Sequence, residues 1–300
     1  TLIRNNTFSS SEDHGIKLSG SDSIIVDNNT LDSNTDKGIY VSSSHDLIIK
    51  SNTVSDNNAG IYVTNSDDAI LSLNTIVDHT TYGVTFSYSE SVKIKKNVIK
   101  TNKEDALVLD SSDNAFIDNN TVKNNGETGE TSGRAIRLYE VDNTIIYNNS
   151  IQSNYYSGIV ITASNSNSIV HNTIKGNGKY GISITNELPL ISANNTIKDN
   201  TINDNANVAV NIDGIYTTLV NNTIKYNAKD GIQVSANGAR TTIQQNNIVA
   251  NEENAIHVVG NNALVTSNTI EGYESEIAIL VINSRSPTIT NNTIEDGEHG

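Results

Sequence analysis

The sequence predicts an all-β fold: a solenoid of stacked triangular coils, each contributing three short parallel strands. Three observations carry this reading. A motif of Asn, one variable residue and an aliphatic residue or Phe recurs thirteen times, at Asn6, Asn29, Asn52, Asn74, Asn97, Asn120, Asn149, Asn172, Asn200, Asn222, Asn246, Asn268 and Asn292. These Asn residues follow one another at 22–24 residues, with two longer steps of 29 and 28. Between them lies a second string, Gly followed by two apolar residues around a variable one, as in Gly38-Ile39-Tyr40-Val41 and Gly231-Ile232-Gln233-Val234. No segment carries a 3.6-residue apolar stripe long enough for a helix.

Each repeat of about 23 residues then reads in order. A short apolar strand precedes the Asn, as at Ile24/Val26, Ile48 and Ile169. A second strand follows the Asn, and the Gly-Ile-x-Val string forms the third. Ser, Asn, Asp and Gly separate the strands as turn residues. A single coil cannot close a core, so about 13 coils must stack. The recurrent Asn is expected to form a ladder. Burying a turn without partners for its backbone is costly, and an Asn amide supplies both donor and acceptor. The same pattern generates Asn-Asn-Thr/Ser sequons at Asn5, Asn28, Asn119, Asn148, Asn194, Asn221 and Asn291.

Composition narrows the function. Of 300 residues, 19 are Lys or Arg and 34 Asp or Glu, a formal charge of −15. Such a chain repels phosphate backbones, so no nucleic-acid partner is expected. The longest apolar run, 277–282, is far short of the roughly 20 residues of a membrane span, so no membrane insertion is expected. With no Cys there are no disulfides and no thiolate chemistry. The chain opens on Thr1 and contains no Met. Residues 1–300 are expected to form one domain, a segment of a longer protein. Its open ends would be covered by flanking sequence or by end-to-end self-stacking.

The Gly-Ile-x-Val and Asn-Asn-Thr-Ile strings resemble the parallel β-helix repeat of the pectin-lyase-like superfamily. It is of the carbohydrate-binding and sugar-hydrolase type found in surface proteins, alginate epimerases and copper-maturation proteins. The resemblance spans essentially the whole chain. It implies a right-handed, single-stranded parallel β-helix with three sheets and an Asn ladder at one turn. Fold alone does not set function in such a superfamily.

The outward residue of the third strand forms a column: Lys17, Tyr40, Tyr62, Thr85, Val108, Arg137, Val160, Ser183, Asn211, Gln233, His257 and Leu280. In the alginate epimerases the matching strand carries Tyr-Gly-apolar-Asp-Pro-His. The nearest string here is Tyr82-Gly83-Val84-Thr85-Phe86-Ser87, with Thr85 for the Asp and Ser87 for the His. The general acid and base are thus missing. Among other bases on the column, Tyr40, Tyr62, Lys17 and His257 have no acidic or cationic partner in this register. Tyr139 is the remaining catalytic candidate, beside Arg137, whose guanidinium would lower a neighbouring phenol's pKa and neutralise a uronate.

Two long repeats insert residues 124–133 and 187–195, both bordering the third sheet. Near the first lie Tyr82, Tyr88, Arg134, Arg137, Tyr139, Tyr155 and Tyr156, candidate glycan contacts: Arg for carboxylates, Tyr for sugar faces. Because lyases of this fold use carboxylate-bound calcium, the resemblance makes Asp105 and Asp110 the candidate calcium ligands. The six His share no column on adjacent coils, which disfavours a copper site. The leading expectation is a non-catalytic extracellular or cell-surface solenoid with a structural, adhesive or glycan-contacting role and a polysaccharide partner. A polysaccharide lyase or uronate epimerase is the alternative. A periplasmic metal-maturation protein is the third.

Overall fold

A computed structural model describes residues 1–127, 132–272 and 277–295. The chain divides into two compact units, Thr1–Tyr155 and Tyr156–Gly300. The insertion at 124–133 lies partly outside the described residues, as does His299.

In each unit the chain repeats one coil, and the coil Ile25–Lys50 of the first unit serves as its template. Strand Ile25–Asp27 leads through Asn28 and Asn29 into strand Thr30–Asp32. Ser33 and Asn34 then lead towards strand Lys37–Ser42, and a turn returns the chain to Ile48–Lys50. Within each unit, strands pair in parallel with their counterparts in the next coil, for example Ile25↔Ile48 and Thr30↔Thr53. The first unit stacks seven, seven and six strands in its three sheets, and the second stacks six in each, among the described residues. No described residue is helical.

Alternation with period 2 sends the middle residue of each strand of the first two sheets inwards, and two residues of the third-sheet strands. Val26, Leu31, Ile39 and Val41 are fully buried and stack on their register partners Ile49, Val54, Ile61 and Val63. Each such side chain contributes roughly 1.5–3 kcal/mol by leaving water. Ile24, Val26 and Ile169 are core residues as expected, but Ile48 is not. It points outwards and is half-buried, while Leu47 and Ile49 on either side carry the core.

The ladder runs as predicted within each unit. Asn29 Nδ2 donates to Asn52 Oδ1 at 3.0 Å, and Asn29 N–H reaches the same oxygen at 2.9 Å. A further bond from Nδ2 caps the carbonyl of Ile3. Asn74, Asn97 and Asn120 repeat this, as do Asn200, Asn222, Asn246 and Asn268 in the second unit. The residue before each ladder Asn is left-handed, at φ 52° for Asn28 and 56° for Asn119. Asn tolerates that conformation better than most side chains. The Asn-Asn-Thr string thus has one physical role per letter: left-handed corner, ladder, first outward residue of the next strand.

A second ladder stands five residues further on, unanticipated from the sequence. Asn34→Asn57, Asn102→Asn125 and Asn125→Asn154 bonds build it in the first unit, and Asn177→Asn205→Asn227→Asn251 in the second. His79 takes the Asn place in one coil. Its Nδ1 accepts the Asn57 N–H at 3.1 Å, its own N–H donates to Asn102, and its Nε2 is buried without a partner. Ser44, Ser66, Ser89 and Ser112 form a shorter hydroxyl ladder at the third corner. Close packing at the start of the third strand explains the Gly of the Gly-Ile-x-Val string: a Cβ on Gly38 would lie 2.3 Å from Val54 Cγ1 and 2.9 Å from the Gly60 carbonyl.

Two predictions follow from the ladders. Asn97→Ala strands the Asn74 amide and the carbonyl of Leu71 and should cost about 1–3 kcal/mol in a thermal or urea melt. Burial lowers the His79 pKa from 6.5 to about 4, so the folded state resists the proton that the unfolded chain accepts. Stability from this residue is complete above pH 6.5, declines as pH falls, and is lost by pH 4. The loss is on the order of 3 kcal/mol. His79→Asn restores the amide ladder, so the variant's stability profile should be flatter than the wild type's between pH 6.5 and 4. Parallel profiles would assign the acid response to other groups.

Candidate functional site

The third sheet's outer face collects the chemistry of the first unit. Register pairs Lys17↔Tyr40, Tyr40↔Tyr62, Tyr62↔Thr85, Thr85↔Val108 and Val108↔Arg137 reproduce the predicted column. In the second unit Val160↔Ser183, Ser183↔Asn211, Asn211↔Gln233, Gln233↔His257 and His257↔Leu280 do the same.

At the first coils this column is aromatic and basic. His14 stacks on Tyr40 at 4.9 Å between centroids, and Tyr40 on Tyr62 at 5.9 Å, both at 19°. Lys17 and Lys37 each lie 5.7 Å from the Tyr40 centroid, and Lys37 lies 5.6 Å from that of Tyr62. The tyrosines therefore have cationic neighbours that the sequence register did not reveal. The Lys37 ammonium also grips Asp36 at 2.9 Å. His14 sits 3.5 Å from Asp13 through Nε2 and 3.5 Å from Asp36 through Nδ1. Burial lowers its pKa against the opposing pull of both carboxylates. Among the described residues, Asp13, His14 and Asp36 bring three ligand atoms close enough together to hold a metal ion. The repeat could have revealed this grouping, since Asp13 and Asp36 stand 23 residues apart.

Further along lie the expected contacts. Asp105 is 1% exposed; its Oδ1 accepts the N–H groups of Gly133 and Arg134, and Arg134 Nη1 donates to Oδ2 at 2.9 Å. Its oxygens thus anchor the foot of the 124–133 insertion, where Gly126 and Gly133 approach closely at φ 95° and 96°. Asp110 is the last residue of strand Leu107–Asp110, which Asp105 precedes, and it accepts the Ser111 hydroxyl. Asp105 and Asp110 thus stand at opposite ends of residues 106–109, and Asp105 already spends both oxygens on the insertion's foot.

The Arg137 guanidinium lies 5.3 Å from the Tyr139 centroid. Tyr139 pairs in register with Asp110. Burial pushes the Tyr82 phenol above its ordinary range, and Glu104, by charge and by a hydrogen bond, raises it further; Arg137 opposes and is outweighed. The expected lowering by the guanidinium is therefore reversed at Tyr82. Tyr88 sits at a left-handed corner, largely exposed, its N–H on the Asp110 carbonyl. Tyr155 packs its Cβ against Gly126 and Gly133. Tyr156 belongs to the second unit, where its hydroxyl meets Lys179 Nζ at 2.5 Å and Lys179 lies 4.5 Å from its ring. Thr85 and Ser87, in place of the epimerase acid and base, lie on strand Val84–Ser87.

In the second unit the 187–195 insertion is pinned by a Glu187↔Leu190 antiparallel bridge and by Asn186 and Ser192. His257 has a partner that the linear register hid: its Nδ1 lies 3.2 Å from Oδ2 of buried Asp230, whose Oδ1 is held by Asn254. The partner comes from a turn column, three places before the strand's outward column, so strand register alone did not place it.

Asp105→Ala would leave the Gly133 and Arg134 N–H groups without their acceptor. The expected cost is about 1–3 kcal/mol, held down because Arg134 keeps partial access to water. The measurement is the urea midpoint of unfolding; an unchanged value would separate the insertion's foot from this carboxylate.

The comparisons with known proteins agree on architecture. A family described as "Right handed beta helix region" matches residues 1–133, 130–248 and 208–300. No curated protein sequence matches the chain. Among solved structures, the chain is similar to the A-module of mannuronan C-5 epimerase AlgE6 of Azotobacter vinelandii, with a TM-score of 0.77 at 15% identity, covering 100% of this chain and 88% of that one. It is also similar to PfbA, a surface adhesin of Streptococcus pneumoniae, at a TM-score of 0.69 and 12% identity over 99% of this chain and 82% of that one. The Dettilon tailspike protein gives 0.65 at 16% identity over 98% and 61%. At these identities the likeness concerns the fold. The chain belongs to the right-handed β-helix family.

Proposed function

We propose that the chain is a non-catalytic β-solenoid module of the cell exterior that contacts an acidic polysaccharide through the outer face of its third sheet. The observation that carries this is a run of tyrosine rings with cations set against them. Lys17, Lys37 and Arg137 lie against Tyr40, Tyr62 and Tyr139 on the third sheet of the first unit, while Lys37 and Arg134 are also paired with Asp36 and Asp105. Cations held against tyrosine rings keep their geometry and still offer N–H donors to carboxylates. The rigid strands beneath repeat at about 4.8 Å, so the face is preorganised before any ligand arrives.

Two features support a non-catalytic role. Thr85 and Ser87 have no pKa near neutrality and cannot abstract a proton next to a carboxylate. The Tyr82 phenol is pushed up, away from the range in which it would act as a base. The similar solved structures include an epimerase, an adhesin and a tailspike, which fits a polysaccharide-facing scaffold. No helix among the described residues is long and apolar enough to cross a membrane.

Binding of oligouronates and of neutral oligosaccharides, with and without calcium, tests the reading. Wild type should prefer the uronates, and Arg137→Ala/Tyr139→Ala should weaken them by about tenfold or more, the loss of one charge-assisted pair. No unsaturated uronate absorbance or epimerised product should accumulate. Equal binding by both proteins would remove the site. Turnover abolished by Tyr139→Phe would instead establish the lyase or epimerase alternative.

A further inference from the structure

The second unit carries a cavity on a different surface from the third-sheet column. It has a volume of about 220 Å³ and is lined by Ile215, Tyr216, Ala239, Arg240, Asn261 and Asn262. These residues come from three successive coils, at the corner between the third and first sheets. Tyr216, Arg240 and Asn262 occupy the same left-handed position, at φ 54°, 58° and 55°. Backbone bonds hold them in step: Tyr216 N–H to the Ala239 carbonyl, and Arg240 N–H to the Asn261 carbonyl. The corner therefore repeats with the coil, and its side chains project as a column.

Its chemistry is that of an anion receptor with an apolar floor. The Arg240 guanidinium lies 5.1 Å from the Tyr216 centroid and donates through Nη1 to the Tyr216 hydroxyl. One of its five N–H donors is thereby used. Among the described residues Arg240 forms no ion pair, in a chain with an excess of 15 negative charges. The Arg285 N–H binds Asn261 Oδ1 at 2.7 Å, which leaves the Asn261 Nδ2 hydrogens as donors. Ile215 and Ala239 supply C–H surface. At about 220 Å³ it is smaller than the usual ligand pocket, which suits a small ligand such as a single sugar ring.

We propose that this cavity is a subsite for a single uronate residue. Arg240 takes the carboxylate in a bidentate pair, Ile215, Ala239 and Tyr216 take the ring's apolar face, and Asn261 and Asn262 take hydroxyls. The sugar class rests on the acidic-polysaccharide reading above; the site itself does not share a residue with it.

Saturation-transfer NMR on the full chain, with D-glucuronate and D-glucose as probes, is the test. Glucuronate transfer should survive Arg137→Ala/Tyr139→Ala, which disables the third-sheet contacts. Adding Arg240→Gln to that double variant should lower it by about fivefold or more, because the bidentate charge pair is lost with no third-sheet binding to mask it. Tyr216→Ala should lower it too, by freeing the guanidinium. Arg240 is exposed, so the variant is expected to melt with the wild type and to report binding alone. Glucose transfer equal to that of glucuronate, or glucuronate transfer indifferent to both substitutions, would overturn the subsite. Loss in Arg137→Ala/Tyr139→Ala with no further loss on adding Arg240→Gln would also overturn it while sustaining the third-sheet reading.

Discussion

The need to hydrogen-bond the backbone at buried corners governs this molecule. Three strands of three to six residues leave the chain turning inside its own core every few residues. Each turn buries amide groups that no strand can satisfy. The two Asn ladders meet that need in the direction of stacking: each side-chain carbonyl takes the N–H and the amide of the Asn one coil back. The ladder therefore also sets the register, because a coil displaced by one residue would lose the acceptor and reverse every inward side chain. One in six residues being Asn is the compositional trace of this requirement.

With corners and inward residues so committed, the outward positions are free to vary. The same column that reads Lys, Tyr, Tyr, Thr, Val, Arg in the first unit reads Val, Ser, Asn, Gln, His, Leu in the second. The register is the same in both while the side chains differ, and Val108 and Ser183 are buried where most of the column faces outwards. This variation is how an acidic chain can still set tyrosine rings and cations together on one face. Like residues at adjacent coils stand close enough to stack or to share a cation, as Tyr40 and Tyr62 share Lys37.

The same proximity gives charged groups partners far apart in sequence. Asp105 meets Arg134 across 29 positions, Asp230 meets His257 across 27, and Arg240 meets Tyr216 across 24. The first of these ties down an insertion, so a carboxylate that resembled a cation ligand in the sequence is an internal acceptor. His79 shows the cost of a departure from the pattern: an imidazole in an amide's place keeps the acceptor but leaves Nε2 buried without a partner.

By itself the sequence determined the coil. Thirteen recurrent Asn residues, period-2 alternation and corner glycines specify three parallel sheets, the first ladder and the outward column, because each depends on local geometry repeated at one interval. The second ladder was equally legible, since Asn34, Asn57, Asn102, Asn125 and Asn154 each follow a first-ladder Asn by five residues. Tertiary structure alone decided which way marginal residues face and who partners whom. Ile48 turns out because Leu47 and Ile49 hold the core. The Asp105 carboxylate closes on Arg134, the Tyr82 phenol answers to burial and Glu104 more than to Arg137, and Arg240 lies on Tyr216. Those outcomes depend on side-chain reach and on desolvation across neighbouring coils, quantities that a repeat interval does not contain.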